Sequence, residues 1–325
     1  MKRRFILYGI VLVGLALFPL GTGHLYSSFY VALLTRVFIF SVIVLGYDLL
    51  AGHSGIVSYG HAIFFGTGMY VAGLSLKYIT VWFWLPLALA VAASGLVALV
   101  VGYLSLRTRE IYFVFLTFAF SQFFYVISNT AQAIGAANGL SGIPKPIIFP
   151  GLDLSRDITF YYFALCILLV FLVLNFIIIH SPFGRVLVGI RENEGRMKFL
   201  GYDTQRALRR IFFVSGIYGG VSGALMGAFN SFASPASYHA SVSGDVIIMA
   251  FLGGNRYLFG PVLGTAFVVI LGDFLTSFVA RAWMVFLGAI FGVCIIFNPT
   301  GMVGGYERLR NFISKRRLLS VDSRA

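Results

Sequence analysis

Long apolar runs separated by short polar links make up most of this chain. They cover about Phe5 to Leu20, Phe29 to Leu50, Ala62 to Leu76, Phe83 to Tyr103, Ile111 to Ser128, Phe160 to Ile179 and Ile211 to Phe229. A shorter run from Val246 to Leu252, one starting near Pro261 and a last one from Trp283 to Phe297 follow. A hydrocarbon core of about 30 Å takes roughly 20 apolar residues per helix, so the runs predict about 8–10 spans. They lack the in-out alternation of a membrane barrel, and backbone groups in lipid must be satisfied within each segment, so the spans are helices. The expected fold class is all-α, a polytopic transmembrane helical bundle that includes broken or re-entrant segments. Lys2-Arg3-Arg4 before the first run has the look of a secretory signal, but no small-x-small cleavage site follows cleanly, so that run reads as a retained first span.

Polar residues interrupt the apolar pattern in two places. From Ala51 to Gly73, Gly52, Gly55 and Gly60 combine with His53, Ser54, Ser58 and His61, which is too flexible and polar for a lipid-facing helix. Non-helical backbone at membrane depth survives only where protein or a water-filled path surrounds it. The stretch is either a broken or re-entrant segment lining a route, or an interfacial turn. Gly253-Gly254-Asn255-Arg256 makes a second break, and Gly260 begins the next helix as Gly60 begins the earlier one. Paired interruptions of this kind point toward a transport path, although the identity between the two segments is thin. Ser215, Gly219, Gly223 and Gly227, at four-residue steps, give the seventh run a smooth face for close helix packing. The Gly- and Pro-rich stretch from Asn129 to Asp157 predicts an ordered, irregular loop outside the membrane.

The one long charged stretch between two apolar runs is Ser181 to Arg210. Seven of the chain's 24 Lys and Arg lie between Arg185 and Arg210, with Glu192, Glu194 and Asp203 among them. A single Arg at mid-membrane already costs about 2.5–3.5 kcal/mol on insertion scales, so the stretch stands in water between spans. Leu187, Ile190 and Met197 recur near helical spacing, which predicts a short amphipathic helix stopped by Gly201, with Asp203 or Thr204 capping the next one. It serves either as a docking helix for a soluble partner or as a solvated loop that orients the spans.

Composition agrees with a membrane protein: 59% of residues are hydrophobic and 11% charged, at a mean hydropathy of +0.92. The net charge of +13 sits at the tips between spans without forming a basic face, which favours anionic lipid over nucleic acid as its partner. Ten crossings from a cytoplasmic N-terminus put eighteen positive residues inside and leave five in or beyond the membrane, with Arg256 joining the inner set. Both termini are then cytoplasmic. The expected organisation is one transmembrane domain over 1–325, with a cytoplasmic segment at 181–210 and a basic cytoplasmic tail at 303–325.

Motifs for catalysis are missing from the sequence. It contains no G-x-x-x-x-G-K-[ST] phosphate loop, no H-x-x-x-H pair and no G-x-S-x-G elbow, so no enzymatic activity, cofactor or metal is expected of it. Cys166 and Cys294 fall inside apolar runs, where neither a disulfide nor a metal is expected. Arg36, Asp48, Asp245 and Asp273 lie nearest the bilayer, and each is expected to pair or to stand in a wet cavity. A pair between Arg36 and an Asp, or interfacial places for Asp48 and Asp245, is the structural reading; a solute or proton path is the functional one.

Six blocks in this order, GHSGIVSYGHAIFFGTGMYVAG, GLSGIPKP, SPFGRVLVGIRENEGRMKFLGYD, SPASY, FLGGNRYLFGPVLGT and FNPTGMVGG, resemble the permeases of bacterial branched-chain amino acid ABC importers of the LivM type. The likeness covers nearly the whole chain after the first run. It implies a second homologous permease subunit, two cytoplasmic ABC ATPase subunits and a periplasmic substrate-binding protein, in the inner membrane. It also implies ATPase coupling through Glu194 and Gly201, with Arg191 and Glu192 just before them. Gly195 and Arg196 stand where the family more often has small aliphatic residues. The translocation path or gate is expected at Gly52, His53, Gly55, Ser58, Gly60, His61, Gly253, Gly254 and Gly260. Related importers take up urea, short amides or aromatic acids. The competing class is a stand-alone ion-coupled secondary transporter or channel with Asp273 or His61 in its path; a structural membrane anchor is a third reading.

Overall fold

The computed structural model describes Gly14, Leu15, Phe18, Pro19, residues 27–108, 111–149 and 152–278, Gly288, Ala289, Gly292 and residues 301–305. Nearly all of the expected first and last spans, the N-terminal basic cluster, Arg109 and most of the 303–325 tail lie outside the described residues. The described residues include nine longer α-helices: α1 (Ser27–Asp48), α2 (His61–Tyr78), α3 (Trp84–Ser105), α4 (Ile111–Thr130), α5 (Asp157–His180), α6 (Pro182–Phe199), α7 (Thr204–Asn230), α8 (Ala240–Gly253) and α9 (Gly260–Phe278). Five helical segments are long and apolar enough to cross a membrane: Ser28–His53, Trp84–Ser105, Ile111–Thr130, Asp157–His180 and Thr204–Asn230. The chain is thus an all-α, multi-pass membrane protein. The run predicted from Val246 to Leu252 belongs to the longer α8, which folds back against α9; α2 is walled by protein along most of its length.

Helices in lipid are held by close packing rather than by escape from water. α7 lies at the centre, with small residues on two sides. A methyl group at Gly219 would stand 2.7 Å from Phe64 Cβ, and one at Gly223 would collide with the Phe65 carbonyl oxygen, so this side lies on α2. On the other side Gly216 meets Ala98 and Gly220 meets Ser94, both on α3. Ser222 adds a hydrogen bond from its hydroxyl to Ile39 O, 2.7 Å, tying α7 to α1. The outward faces of α4 and α5 remain apolar and exposed, with Ile111, Phe115, Phe123, Val173 and Ile177 among them.

The helix ends sort onto two faces. On one, β1 (Leu140–Ser141) pairs antiparallel with β4 (Phe232–Ala233), and β2 (Ile147–Phe149) with β3 (Leu152–Asp153). Lys77 donates to Ser141 O at 2.8 Å, Trp84 Nε1 to Ile148 O at 3.1 Å, and Lys145 to Phe229 O at 2.6 Å, so the 129–157 loop is laced onto the ends of α2, α3 and α7. The Lys145 ammonium meets the carbonyl end of α7, where a cation is favoured. The opposite face carries α6 and both helix breaks. α5 connects the two faces with 24 residues, about 36 Å at 1.5 Å per residue, enough to cross a bilayer core.

Candidate functional site

The two breaks and the charged helix meet at one point. α1 runs into a π-helical turn, Leu49–His53, and just before it stands Asp48, fully buried. Asp48 Oδ1 accepts a hydrogen bond from the backbone N–H of Arg256 at 3.1 Å. Asp48 Oδ2 approaches His53 Nδ1 at 3.5 Å, but that nitrogen lies closer to the Asp48 carbonyl oxygen, 3.3 Å, and Oδ2 receives no hydrogen bond. The expected pairing of Arg36 with an aspartate is therefore not how Asp48 is accommodated; Arg36 is exposed on α1. A carboxylate buried this completely requires partners, and its neighbours come from both breaks. The Asp48 side chain is wholly enclosed by protein.

Gly52 lies against this carboxylate so closely that a Cβ would collide with Asp48 Oδ1 and stand 3.3 Å from Arg256 N. Its carbonyl accepts a hydrogen bond from the guanidinium of Arg191 on α6. Three residues on, Gly55 has φ +80, and a Cβ there would come within 2.9 Å of Arg191 Cγ. Arg256, in the second break, has φ 80, a left-handed conformation that costs a non-glycine residue roughly 1–2 kcal/mol. Gly253 packs on Gly260, so α8 and α9 leave the break back to back. Burial, and then repulsion by Arg256, lowers the pKa of Arg191, while Asp48 and Glu192 favour its charge.

From Gly55 the chain turns back into the bundle without forming a helix. Its backbone donors are met by side chains: Tyr59 N–H donates to Thr117 Oγ1 at 3.1 Å, Gly60 N–H to Ser58 Oγ at 3.2 Å and Ala62 N–H to Ser243 Oγ at 2.9 Å. This satisfaction by neighbouring helices is the condition for irregular backbone inside a membrane protein. Along this irregular stretch Gly55 is exposed, whereas Ser58 and Gly60 are buried. His61 is fully buried, 2.6 Å from Ser215 Oγ, with its ring edge-on to Tyr47 and Phe64 at 4.9 and 5.7 Å. In this conformation it packs the α1–α2–α7 core.

α6 is amphipathic with Leu187 and Ile190 buried, and Ser181 caps it through a bond from Gly184 N–H at 3.1 Å. The single predicted helix is broken at Asn193, whose φ and ψ are −162° and 99°; its Oδ1 accepts from Arg196 N–H at 2.8 Å and restarts the helix. Gly201, at φ 84, ends it, and the cap of α7 is Asp203, which accepts from Arg206 N–H at 2.8 Å. Glu194 is turned toward the protein: its Oε1 accepts from Thr204 Oγ1 at 2.8 Å and lies 3.3 Å from Lys198 Nζ. Glu192 is exposed. A cavity of 560 Å³ opens between α6, the first break and the starts of α4 and α7, lined among others by Ser54, Val57, Thr108, Arg191, Glu194 and Gln205.

The structure thus brings Gly52, His53, Gly55 and Arg191 together with Arg256 of the second break, while Gly254 packs on Gly260. Ser58, Gly60 and His61 lie deeper along the first break, Gly253 and Gly260 hold the α8–α9 hairpin, and Glu194 and Gly201 shape the end of α6. Two features were not read from the sequence. One is the role of Asp48, whose partners come from more than 200 positions away as well as from its own turn. The other is the apolar tip of α6: Phe199 is 95% exposed and Leu200 66%, on an otherwise charged segment. The signal was available, because neither residue falls on the stripe of Leu187 and Ile190.

The profile of a family described as branched-chain amino acid transport system, permease component, matches residues 29–295. The high-affinity branched-chain amino acid transport system permease protein LivM of Salmonella typhimurium (strain LT2) is 27% identical over 326 aligned positions, covering 93% of this chain and 75% of that protein. The protein of the same description from Escherichia coli (strain K12) is 26% identical over 318 positions, covering 90% of this chain and 74% of its own length. No solved structure matches.

Proposed function

Because the chain belongs to the family of branched-chain amino acid transport system permeases, we propose that this transport permease moves branched-chain amino acids by alternating access and is driven by separate ATPases. Under this proposal two cytoplasmic ABC ATPase subunits grip the 181–210 segment, a second homologous permease subunit pairs with this one, and a periplasmic substrate-binding protein delivers the solute. The whole of 1–325 then acts as one permease domain in the bacterial inner membrane, with the α6 face, both termini and the basic 303–325 tail in the cytoplasm.

The observation that carries the reading is the contact between Arg191 and the Gly52 carbonyl, which connects the exposed charged helix to the end of a membrane span. Force applied to α6 has a short path into the bundle there. Support also comes from the exposed Phe199–Leu200 tip, which gives a soluble partner an apolar point to enclose within a charged setting. The sequence has no phosphate-binding loop of its own, so energy has to come from another subunit if transport is ATP-driven. The Gly52–Gly60 and Gly253–Gly260 breaks are the hinges or gates of this mechanism. The exposed apolar faces of α4 and α5 meet lipid and the second permease.

The test is uptake of leucine, isoleucine and valine into proteoliposomes containing the chain with its ATPases, partner permease and binding protein. ATP-dependent uptake that fails without the ATPases supports the proposal. Uptake by the isolated chain under an ion gradient without ATP overturns it in favour of a secondary transporter.

A further inference from the structure

Asp48 is the unusual group in the junction. Its Oδ1 is occupied by the Arg256 amide, but its Oδ2 is buried and accepts no hydrogen bond. A buried carboxylate oxygen met only by a 3.5 Å contact with His53 Nδ1, and by no hydrogen bond, is destabilised, because its hydration has been lost and not fully replaced. A donor is nonetheless close. Gly52, whose carbonyl is held by the Arg191 guanidinium, lies one turn from Asp48 and touches its carboxylate. A guanidinium has five N–H donors and suits a carboxylate better than a neutral carbonyl. Arg256 is held in a left-handed conformation at the same place, so the junction contains two unfavourable features that a rearrangement would relieve.

We propose that Asp48 and Arg191 are positioning residues forming a switched ion pair: Arg191 holds the Gly52 carbonyl in the conformation described, and displacement of α6 transfers its guanidinium to Asp48 Oδ2. The transfer releases the π-turn at Gly52 and pulls on the Arg256 amide bonded to the other oxygen. Both breaks then move together on one signal. This inference rests on the ATP-driven reading above and adds to it the residues that link α6 to the breaks. A fixed structural role predicts something different: Asp48 would only cap the Arg256 amide, and Arg191 would only bond the Gly52 carbonyl.

The variants D48N and R191Q separate the two. The asparagine side chain of D48N keeps an oxygen for the Arg256 amide, and the glutamine side chain of R191Q keeps an N–H for the Gly52 carbonyl, but neither variant can form the ion pair. The assay uses the complete complex in proteoliposomes and measures leucine moved per ATP hydrolysed, with ATPase retention checked by co-purification. Each single variant is expected to lower that ratio roughly ten- to hundred-fold, the range of a charge-assisted hydrogen bond, with the ATPases retained and ATP still hydrolysed. The double variant is expected to be no worse than either single one, and R191K to recover much of the loss. A wild-type ratio in D48N, losses that multiply in the double variant, or R191K as low as R191Q would overturn the switched pair. If D48N does not accumulate, R191Q and R191K carry the test, since Arg191 is exposed and outside the core. A wild-type complex that transports without ATPases would remove the ATP-driven reading and the switch with it; a normal wild type with an unaffected D48N removes only the switch.

Discussion

Replacing Phe199 with Ala is expected to weaken ATPase binding while leaving the permease fold unchanged. In the free chain the ring is 95% exposed, beside Leu200 at 66% and Tyr202 at 49%, so its removal forfeits almost no packing, and the effect on stability is expected within about 0.5 kcal/mol. Enclosed by a partner, an aromatic ring buries roughly 150–250 Å², and at about 25 cal/mol per Å² this corresponds to about 4 kcal/mol at the lower area. Part of that is retained by the alanine methyl, and binding hot spots fall at about 2–4 kcal/mol, or roughly 30- to 700-fold in Kd. The assay is titration of labelled ATPase onto the permease held in nanodiscs, with thermal unfolding of the permease alone as the control. A Kd within twofold of wild type would refute the docking role of the tip. Phe199→Trp separates the remaining alternative: an aromatic that merely rests among lipid headgroups tolerates Trp, whereas a fitted pocket does not.

Gly223→Leu should destabilise the bundle by about 1–3 kcal/mol or more, because even a Cβ there meets the Phe65 carbonyl; a wild-type melting temperature in detergent would contradict the α2–α7 packing. Ser243→Ala leaves the Ala62 N–H without its acceptor and should cost about 1–3 kcal/mol, with Ser243→Thr recovering most of it in the same melt. Lys145→Met removes the ammonium from the carbonyl end of α7 and should cost up to about 2 kcal/mol locally, read as faster hydrogen exchange around 228–233 with the α2–α3 core unaffected.

The spans were legible because lipid makes a one-dimensional demand: apolar length alone predicts α1, α3, α4, α5 and α7 to within a few residues, except that α7 begins seven residues earlier, at Thr204. The Gly219, Gly223 and Gly227 face was legible for a similar reason, since close approach requires small residues wherever the partner is. Which helix it packs on was not, because spacing within one helix says nothing of the neighbour. Gly201 and Asp203 were readable as local caps, but the kink at Asn193 was not: a polar residue on a wet helix leaves no mark in an apolar pattern. Asp48 shows the limit most clearly. The sequence marks it as costly near the bilayer, yet the groups that accommodate it belong to a second break far along the chain and to its own π-turn.

The first break can remain irregular only because three side chains answer its backbone donors, and those side chains belong to three different places: Ser58 in the break itself, Thr117 on α4 and Ser243 on α8. Shifting Tyr59 alone would strand its N–H, and shifting Ala62 alone would strand another, each at about 1–3 kcal/mol. Small independent movements of this segment are therefore disfavoured, and α4 and α8 are constrained to follow it. The charged helix contacts the same segment at its outer end, at Gly52 and Gly55, where glycines leave room for Arg191 and no Cβ blocks a change of backbone angle. Under the proposed ATP-driven mechanism, the hydrogen-bonded inner part of the break and its glycine-rich outer end would act as a lever whose compliant end lies at α6. For that reason substitutions at Gly52 or Gly55 should impair coupling to α6, whereas substitutions at Thr117 or Ser243 should impair the stability of the bundle.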